Sequence, residues 1–287
     1  MTQSAYFVPK SIEEAISLLS RYGEKAEVLS GGTDLLVQLK KGVSSPQFII
    51  SLDGLRDLDY IDYQQKEGLK IGALTSIGAI ADSSLIKEKF KVLSQAAGTL
   101  GTPVIRNRAT IGGNLCNAAP SADTAPALMV LGAKLKIQGG AASKTIPIHD
   151  FFFGPGRTIL NRNELLSEIQ VFNQPPHSRA VYLKQTRSKS ADLAIVGVAV
   201  LIVMEKDIIK DAKIALGAVA PTPIRAKKAE DILKGNRLKD ELIEECGKAA
   251  ALESRPIDDV RGSAAYRVKI VSVLVKRAIK QIIDSGV

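Results

Sequence analysis

Stacking surfaces are scarce in this chain, which has no tryptophan and only 6 tyrosines and 7 phenylalanines among 287 residues. That scarcity bears on the formal net charge of +9, because a basic chain invites a nucleic-acid reading. Single strands are held by aromatic platforms as well as by charge, and basic readers gather Lys and Arg in a stripe. Here the 39 Lys and Arg are spread over the whole length. A solvated basic surface, or a docking face for acidic partner subunits, fits better than nucleic acid. Cysteine is just as sparse. Cys116 and Cys246 lie far apart and form neither a disulfide framework nor a metal-ligand pattern, which suits a reducing cytoplasm. Neither His149 nor His177 stands at ligand spacing from a cysteine or carboxylate, so no protein-bound metal is expected. The longest apolar run, Leu193 to Met204, is too short to cross a bilayer and reads as a buried strand. The sequence opens without a basic, apolar and small-residue signal, so the expectation is a cytoplasmic protein with no membrane span.

What is present is a composition with 45% hydrophobic residues, ample for real cores, in a length that suggests two domains. The stretch from Arg108 to Lys134 brings a glycine pair, a polar loop and a helix start close together. Ala109-Thr110-Ile111 is β-prone, Gly112-Gly113 lets the backbone turn, and Asn114 tolerates left-handed geometry, leaving backbone N–H groups free to face an anion. Asp123 reads as an N-cap with Pro126 in the first helical turn. The alternative is a tight turn that binds nothing. Near the N-terminus the pattern recurs: Ala26 to Ser30 reads as a strand, Gly31-Gly32-Thr33-Asp34 as a sharp turn, and Leu35 to Lys41 as a helix closed by Gly42. Strand, glycine pair, hydroxyl and helix are phosphate-binding grammar. No GK[ST] and no G-x-G-x-x-G accompanies them, so neither a P-loop nor a dinucleotide fingerprint is supported. Two such turns suit a diphosphate.

Elsewhere the pattern is mixed. Ser11 and Glu14 form a capping box ahead of a helix stopped by Gly23. Phe48 to Ser51 and Leu69 to Ala73 read as strands, Thr75-Ser76 caps a short helix, and Val92 to Leu100 reads as another. Lys134 to Gln138, Thr145 to Ile148 and Ser167 to Phe172 are further strands, and Pro175-Pro176 then breaks the chain. Long β runs from Arg179 to Leu216 restart it, and helices finish it. The class is α+β, without a regular βαβ rhythm. The closing helix, Ser263 to Ile283, carries Arg267, Lys269, Lys276, Arg277 and Lys280, which read as a solvated face. Pro221 to Ala226 is a turn into a helix and is assigned no site. Cys116 reads as a small packed hydrophobe rather than a redox thiol, with no resolving cysteine nearby in sequence.

Five ordered stretches carry a resemblance over essentially the whole chain: LSGGTDLL (Leu29 to Leu36), TIGGN (Thr110 to Asn114), Phe151 to Ile169, YLKQTR (Tyr182 to Arg187) and DVRGSAAYR (Asp259 to Arg267). Together they resemble the FAD-binding subunit of the molybdenum hydroxylases, which include carbon monoxide and xanthine dehydrogenases. The resemblance implies a two-subdomain FAD-binding domain of the PCMH, vanillyl-alcohol-oxidase-like type over 1–176 (about 1–55 and 56–176), then a smaller α+β domain over 177–287 with a β-sheet packed by helices. It implies that Leu29, Ser30, Gly31, Gly32, Thr33, Asp34, Leu35 and Leu36 wrap the FAD diphosphate, with Thr110, Ile111, Gly112, Gly113 and Asn114 on its other side. Asp123 would accept a hydrogen bond from the ribityl or adenosine portion, Leu166 would give apolar contact, and Leu100 matches by its distance ahead of TIGGN. Lys184 would close the site from the second domain, a surface strand lysine being the alternative, and Leu193 would cover the flavin ring. No catalytic residue and no metal ligand is expected in this chain. The implied function is electron transfer. An iron–sulfur small subunit would feed the flavin from a large subunit holding the molybdenum cofactor, in a dimer of heterotrimers, with an external acceptor such as NAD. A stand-alone FAD-dependent oxidoreductase of the same flavin fold is the other reading, and no acid–base constellation for it stands out.

Overall fold

The computed structural model describes residues 4–140, 142–188 and 192–284. The chain begins as a small parallel sheet. Strands β1 (Ala5–Phe7), β2 (Ala26–Leu29) and β3 (Phe48–Ser51) pair in the order β1-β3-β2, both pairs parallel. Helices α1 (Ile12–Tyr22) and α2 (Leu35–Lys40) make the two crossovers. Thus the first fifty residues do follow a βαβ rhythm, a local departure from the sequence expectation, because each return strand needs a crossover to run parallel. α1 starts where the capping box places it: the Ser11 hydroxyl accepts from the Glu14 N–H, and the Glu14 carboxylate accepts from the backbone of Lys10. Its buried face, Ala15, Ile16 and Leu19, packs over Ile50, Leu52 and Leu55.

The second sheet is antiparallel. It takes β4 (Ile61–Gln64), β5 (Gly68–Gly72), β6 (Lys134–Gly139), β7 (Ser143–Pro147) and, after a ribbon of β8 (Phe152–Gly154) and β9 (Arg157–Thr158), β10 (Glu164–Val171), in the order β4-β5-β10-β6-β7. The connection from β5 to β6 is a run of short helices: α3 (Ile77–Asp82), α4 (Ser84–Lys89), α5 (Lys91–Gly98), α6 (Pro103–Arg108), α7 (Ile111–Cys116) and α8 (Thr124–Val130). Side-chain caps from Ser76, Ser83, Thr102 and Thr110 start four of them, each satisfying a first-turn N–H that the helix cannot.

The third sheet orders β11 (Ser178–Gln185), β12 (Val196–Glu205), β13 (Ile208–Gly217) and β14 (Ile224–Arg225) as a meander, all antiparallel. β12 is buried from Val196 to Val203, and the alternation of a strand decides where each residue goes. Ala199, Leu201 and Val203 face the core that contains α5 and α8, whereas Val196, Val198, Val200 and Ile202 face the helices α9 (Lys227–Leu233), α10 (Asp240–Glu253) and α11 (Ala264–Asp284). One strand therefore joins two cores, which explains its unbroken apolar sequence. No described helix is long and apolar enough to cross a membrane.

Arg267 overturns the expectation of a solvated closing helix at one position. It lies in α11 with a relative exposure of 2%. The signal was in the spacing: Arg267, Val271, Leu274, Val275, Ala278 and Ile282 fall on one helical stripe, and all are buried.

Candidate functional site

The first glycine turn is built by local chemistry. β2 ends at Leu29, which is buried, and Gly32 follows with φ +76°, a conformation that costs a residue with a Cβ. α2 begins at Leu35, and Leu36 lies over the turn, mostly exposed. The backbone N–H groups of Gly31, Gly32, Thr33 and Asp34 have no hydrogen-bond partner among the described residues. Successive free N–H groups on an accessible turn form a concavity for an anion. Gly31 has a second reason to be glycine, since a Cβ there would press into the carbonyl oxygen of Arg108. Partial burial raises the Asp34 carboxyl above its ordinary range.

That close approach brings the two motifs together. The Ser30 and Thr110 hydroxyls share a hydrogen bond of 2.7 Å across 80 residues of sequence. TIGGN itself differs from the expectation of a strand and an open turn. Thr110 is an N-cap, its hydroxyl accepting from the Gly113 N–H at 3.0 Å, and Ile111 to Cys116 are helical. The N–H groups of Ile111 and Gly112 donate to the carbonyls of Thr75 and Ala73, and that of Asn114 to Thr110. These donors are thus consumed inside the fold, and Asn114 is not left-handed. Both glycines are needed for closeness: a Cβ on Gly112 would lie 2.7 Å from the Ala73 methyl, and one on Gly113 would lie 2.8 Å from the Thr110 hydroxyl. The Asn114 side-chain oxygen accepts from the Thr124 hydroxyl, and its amide nitrogen has no partner among the described residues.

Asp123 occupies the N-cap position of α8 but makes no capping hydrogen bond. Its carboxylate is instead the centre of a buried cluster, accepting from the Tyr182 hydroxyl at 2.8 Å and from the Lys184 ammonium at 2.8 Å. Both side chains of the ion pair are 5% exposed. Lys184 also donates to the Thr99 carbonyl at 2.9 Å, at the end of α5. Burial pushes the Asp123 carboxyl up, and Lys184 and Tyr182 oppose that push by favouring the charged form. Burial, with the Asp123 charge, drives the Tyr182 phenol well above its usual value. Lys184 is therefore not the surface strand lysine of the alternative reading. Tyr182 was not singled out from the sequence, although residues i and i+2 of a strand share a face and Lys184 was. Gly197 makes room for it, because a Cβ there would lie 2.6 Å from the phenol oxygen.

The remaining candidates are dispersed. Leu166 is buried in β10 within the core of the second sheet, and Leu100 is half-buried, its carbonyl accepting from the Arg106 guanidinium. Leu193 is 59% exposed and lines an open depression of about 1000 Å³ with Pro120, Arg187, Asp192, Asp259 and Arg261. Cys116 is the half-buried last residue of the TIGGN helix, and desolvation pushes its thiol up to about 12, as expected for an inert packed thiol.

Comparison with known proteins gives this arrangement a lineage. Residues 2–173 match the FAD binding domain in molybdopterin dehydrogenase, and residues 181–282 match the CO dehydrogenase flavoprotein C-terminal domain. The chain is 32% identical to the glyceraldehyde dehydrogenase medium chain of Sulfolobus acidocaldarius, over 97% of this chain and 98% of that one. It is 28% identical to the xanthine dehydrogenase FAD-binding subunit of Escherichia coli O157:H7, over 99% and 97%. The solved structure of the carbon monoxide dehydrogenase from Hydrogenophaga pseudoflava superposes with a TM-score of 0.94 at 31% identity, covering 97% of this chain and 96% of that one. An open N–H turn locked by a hydroxyl pair to a second glycine motif, in a chain that matches these proteins end to end, identifies a member of the FAD-binding medium-subunit family of the molybdenum hydroxylases, an oxidoreductase subunit.

Proposed function

We propose that this chain is the electron-transfer subunit of a molybdenum hydroxylase, holding FAD between its glycine motifs and Lys184 and passing electrons from an iron–sulfur small subunit to an external acceptor such as NAD. The molybdenum cofactor would reside in a large partner subunit, and the assembly would be a dimer of heterotrimers in the cytoplasm. The observation that carries the reading is the free N–H turn at Gly31 to Asp34, fixed to Thr110 through Ser30. FAD, when bound, supplies the interconversion of one-electron and two-electron chemistry. The chain's own residues do the binding. Gly31, Gly32, Thr33 and Asp34 would direct backbone N–H groups at the diphosphate, while Leu29, Leu35 and Leu36 frame the turn. Thr110, Ile111, Gly112 and Gly113 would back that turn rather than donate to it, and the free Asn114 amide would supply a further donor. Asp123 would act chiefly by holding Lys184, whose ammonium keeps one N–H beyond the two it uses on Asp123 and Thr99. Leu100, Leu166 and Leu193 complete the proposed apolar surroundings.

The domain division near residue 176, with 1–55 and 56–176 as halves of the first domain, belongs to the same proposal. The second sheet ends at Val171 and the third begins at Ser178, which supports it. The test is the released cofactor. Purified chain should carry or take up FAD in preference to FMN, and reduction by an organic substrate should require the iron–sulfur and molybdenum subunits. A correctly folded sample that bound only FMN, or no flavin, would overturn the reading, and robust substrate-dependent reduction by the chain alone would promote a stand-alone flavoenzyme.

A further inference from the structure

In the DVRGSAAYR stretch Asp259 and Arg261 line the depression beside Leu193, and Arg267 is among the most fully bonded side chains of the described residues. Arg267 is 2% exposed, and its guanidinium donates to the carbonyls of Ile195 at 2.8 Å and Ala218 at 2.9 Å, to the Asp259 carboxylate at 2.6 Å and, at 3.5 Å, to the carbonyl of Gly262. Asp259 also accepts from the Arg261 side chain at 2.6 and 3.0 Å and from the Arg261 backbone N–H at 2.8 Å. A buried guanidinium persists only when its donors are satisfied, and here they are satisfied by three separate backbone segments and one carboxylate. The segments matter. Ile195 is the last residue before β12, and Arg187, two residues past β11, donates to the Val260 carbonyl at 3.1 Å. Arg187 is therefore tied to the turn from Asp259 to Gly262 directly and Ile195 through Arg267, and Leu193 lies between them. Ala218, at φ +63°, donates its N–H to the Pro120 carbonyl at 2.7 Å, on the loop that leads to Asp123.

We propose that Asp259 and Arg267 form a clasp that positions two walls of the flavin site at once, the Leu193 segment through Ile195 and the Pro120–Asp123 loop through Ala218. Arg267 is then a positioning residue, and the inference rests on the FAD reading given above. An architectural arginine alone would need no tie at Arg187, an exposed side chain at the edge of the depression that Leu193, Asp259 and Arg261 also line.

Wild-type chain, Arg267→Lys and Arg187→Met are compared for equilibrium FAD binding, for the visible circular dichroism of the bound flavin and for melting without flavin. Lysine cannot span the two carbonyls and the carboxylate together. Arg267→Lys should weaken FAD binding about tenfold, the equivalent of one lost charge-assisted hydrogen bond, and alter the visible dichroism. Arg187→Met should alter the dichroism while melting like wild type. Wild-type affinity and an unchanged spectrum in a folded Arg267→Lys overturn the clasp as a positioning device, even if it melts lower. Should Arg267→Lys fail to fold, the Arg187→Met spectrum decides alone, and an unchanged one overturns the proposal. A wild-type chain that takes up no FAD refutes the functional reading instead.

Discussion

Replacing Lys184 with methionine tests the buried cluster directly, because it preserves the volume of the stem and removes only the charge. The substitution leaves the Asp123 carboxylate, 5% exposed, with the Tyr182 hydroxyl as its one remaining donor among the described residues, and leaves the Thr99 carbonyl without its lysine donor. Breaking a buried ion pair by deleting one partner costs about 3–5 kcal/mol. With an unfolding entropy of about 2 cal/mol/K per residue, a chain of this length loses roughly 5–8 °C in Tm. Acid should relieve the loss. A carboxyl whose folded pKa lies above its unfolded one contributes stability that is fully present below the unfolded value and disappears as pH rises through the folded value. Burial already raises Asp123, and without Lys184 the raise is larger. The melting gap between variant and wild type should therefore be small in acid, grow as pH rises through the carboxylate range, and be widest at neutral pH. Asp123→Asn added to Lys184→Met should recover most of it, since a neutral amide needs no counter-ion. The assay is thermal melting of the flavin-free chain across pH. A variant that melts within a degree or so of wild type at neutral pH, or a gap that widens in acid, would refute the buried pair as an energetic feature.

Gly31→Ala should abolish FAD uptake while the third sheet keeps its circular dichroism and protease resistance, because the new methyl meets the Arg108 carbonyl and pries the two motifs apart at the Ser30–Thr110 bond. Full occupancy in that variant would mean the close approach is dispensable. Tyr182→Phe removes one donor to a carboxylate that keeps its lysine, so its cost should be about 1–3 kcal/mol, smaller than that of Lys184→Met. The two melting curves settle the order. Cys116, held up to about 12, should react slowly with a disulfide reagent in the native chain near neutral pH and quickly once denaturant exposes it. Fast native labelling traced to Cys116 would show a thiol far more available than its surroundings allow.

What was legible in the sequence follows the range of the interactions that decide each feature. The run from Ala26 to Gly42 could be read almost to the residue, since strand ending, glycine turn and helix stop all depend on neighbours within a few positions. The capping serines and the breaks at proline and glycine are local in the same sense. TIGGN could not be read that way. Its glycines suggested an open turn, but the donors of Ile111 and Gly112 are captured by carbonyls at Thr75 and Ala73, and no local pattern announces a bond over that separation. Asp123 fails for the same reason: its spacing fits an N-cap, and a lysine and a tyrosine some sixty residues later in the chain take the carboxylate instead.

Arg267 shows how charge can mislead where periodicity does not. Its side chain alone suggests water, yet it stands in phase with Val271, Leu274 and Val275, and a residue on that stripe must either be apolar or bring its acceptors with it. The acceptors come from Ile195, Ala218 and Asp259, contributed by three different parts of the second half of the chain. The same logic unites Lys184 and Arg267. Lys184 ties the third sheet to Asp123 and to the end of α5, and Arg267 ties α11 to Ala218, whose N–H reaches Pro120 three residues before Asp123. Apolar packing across β12 would hold the halves together without fixing their register to a fraction of an ångström, because hydrophobic contact is non-directional. Hydrogen bonds are directional, so within that core the register of the junction is fixed by Lys184 and Tyr182 on Asp123 and by the Ala218 N–H on Pro120, with Arg267 holding Ala218 in place.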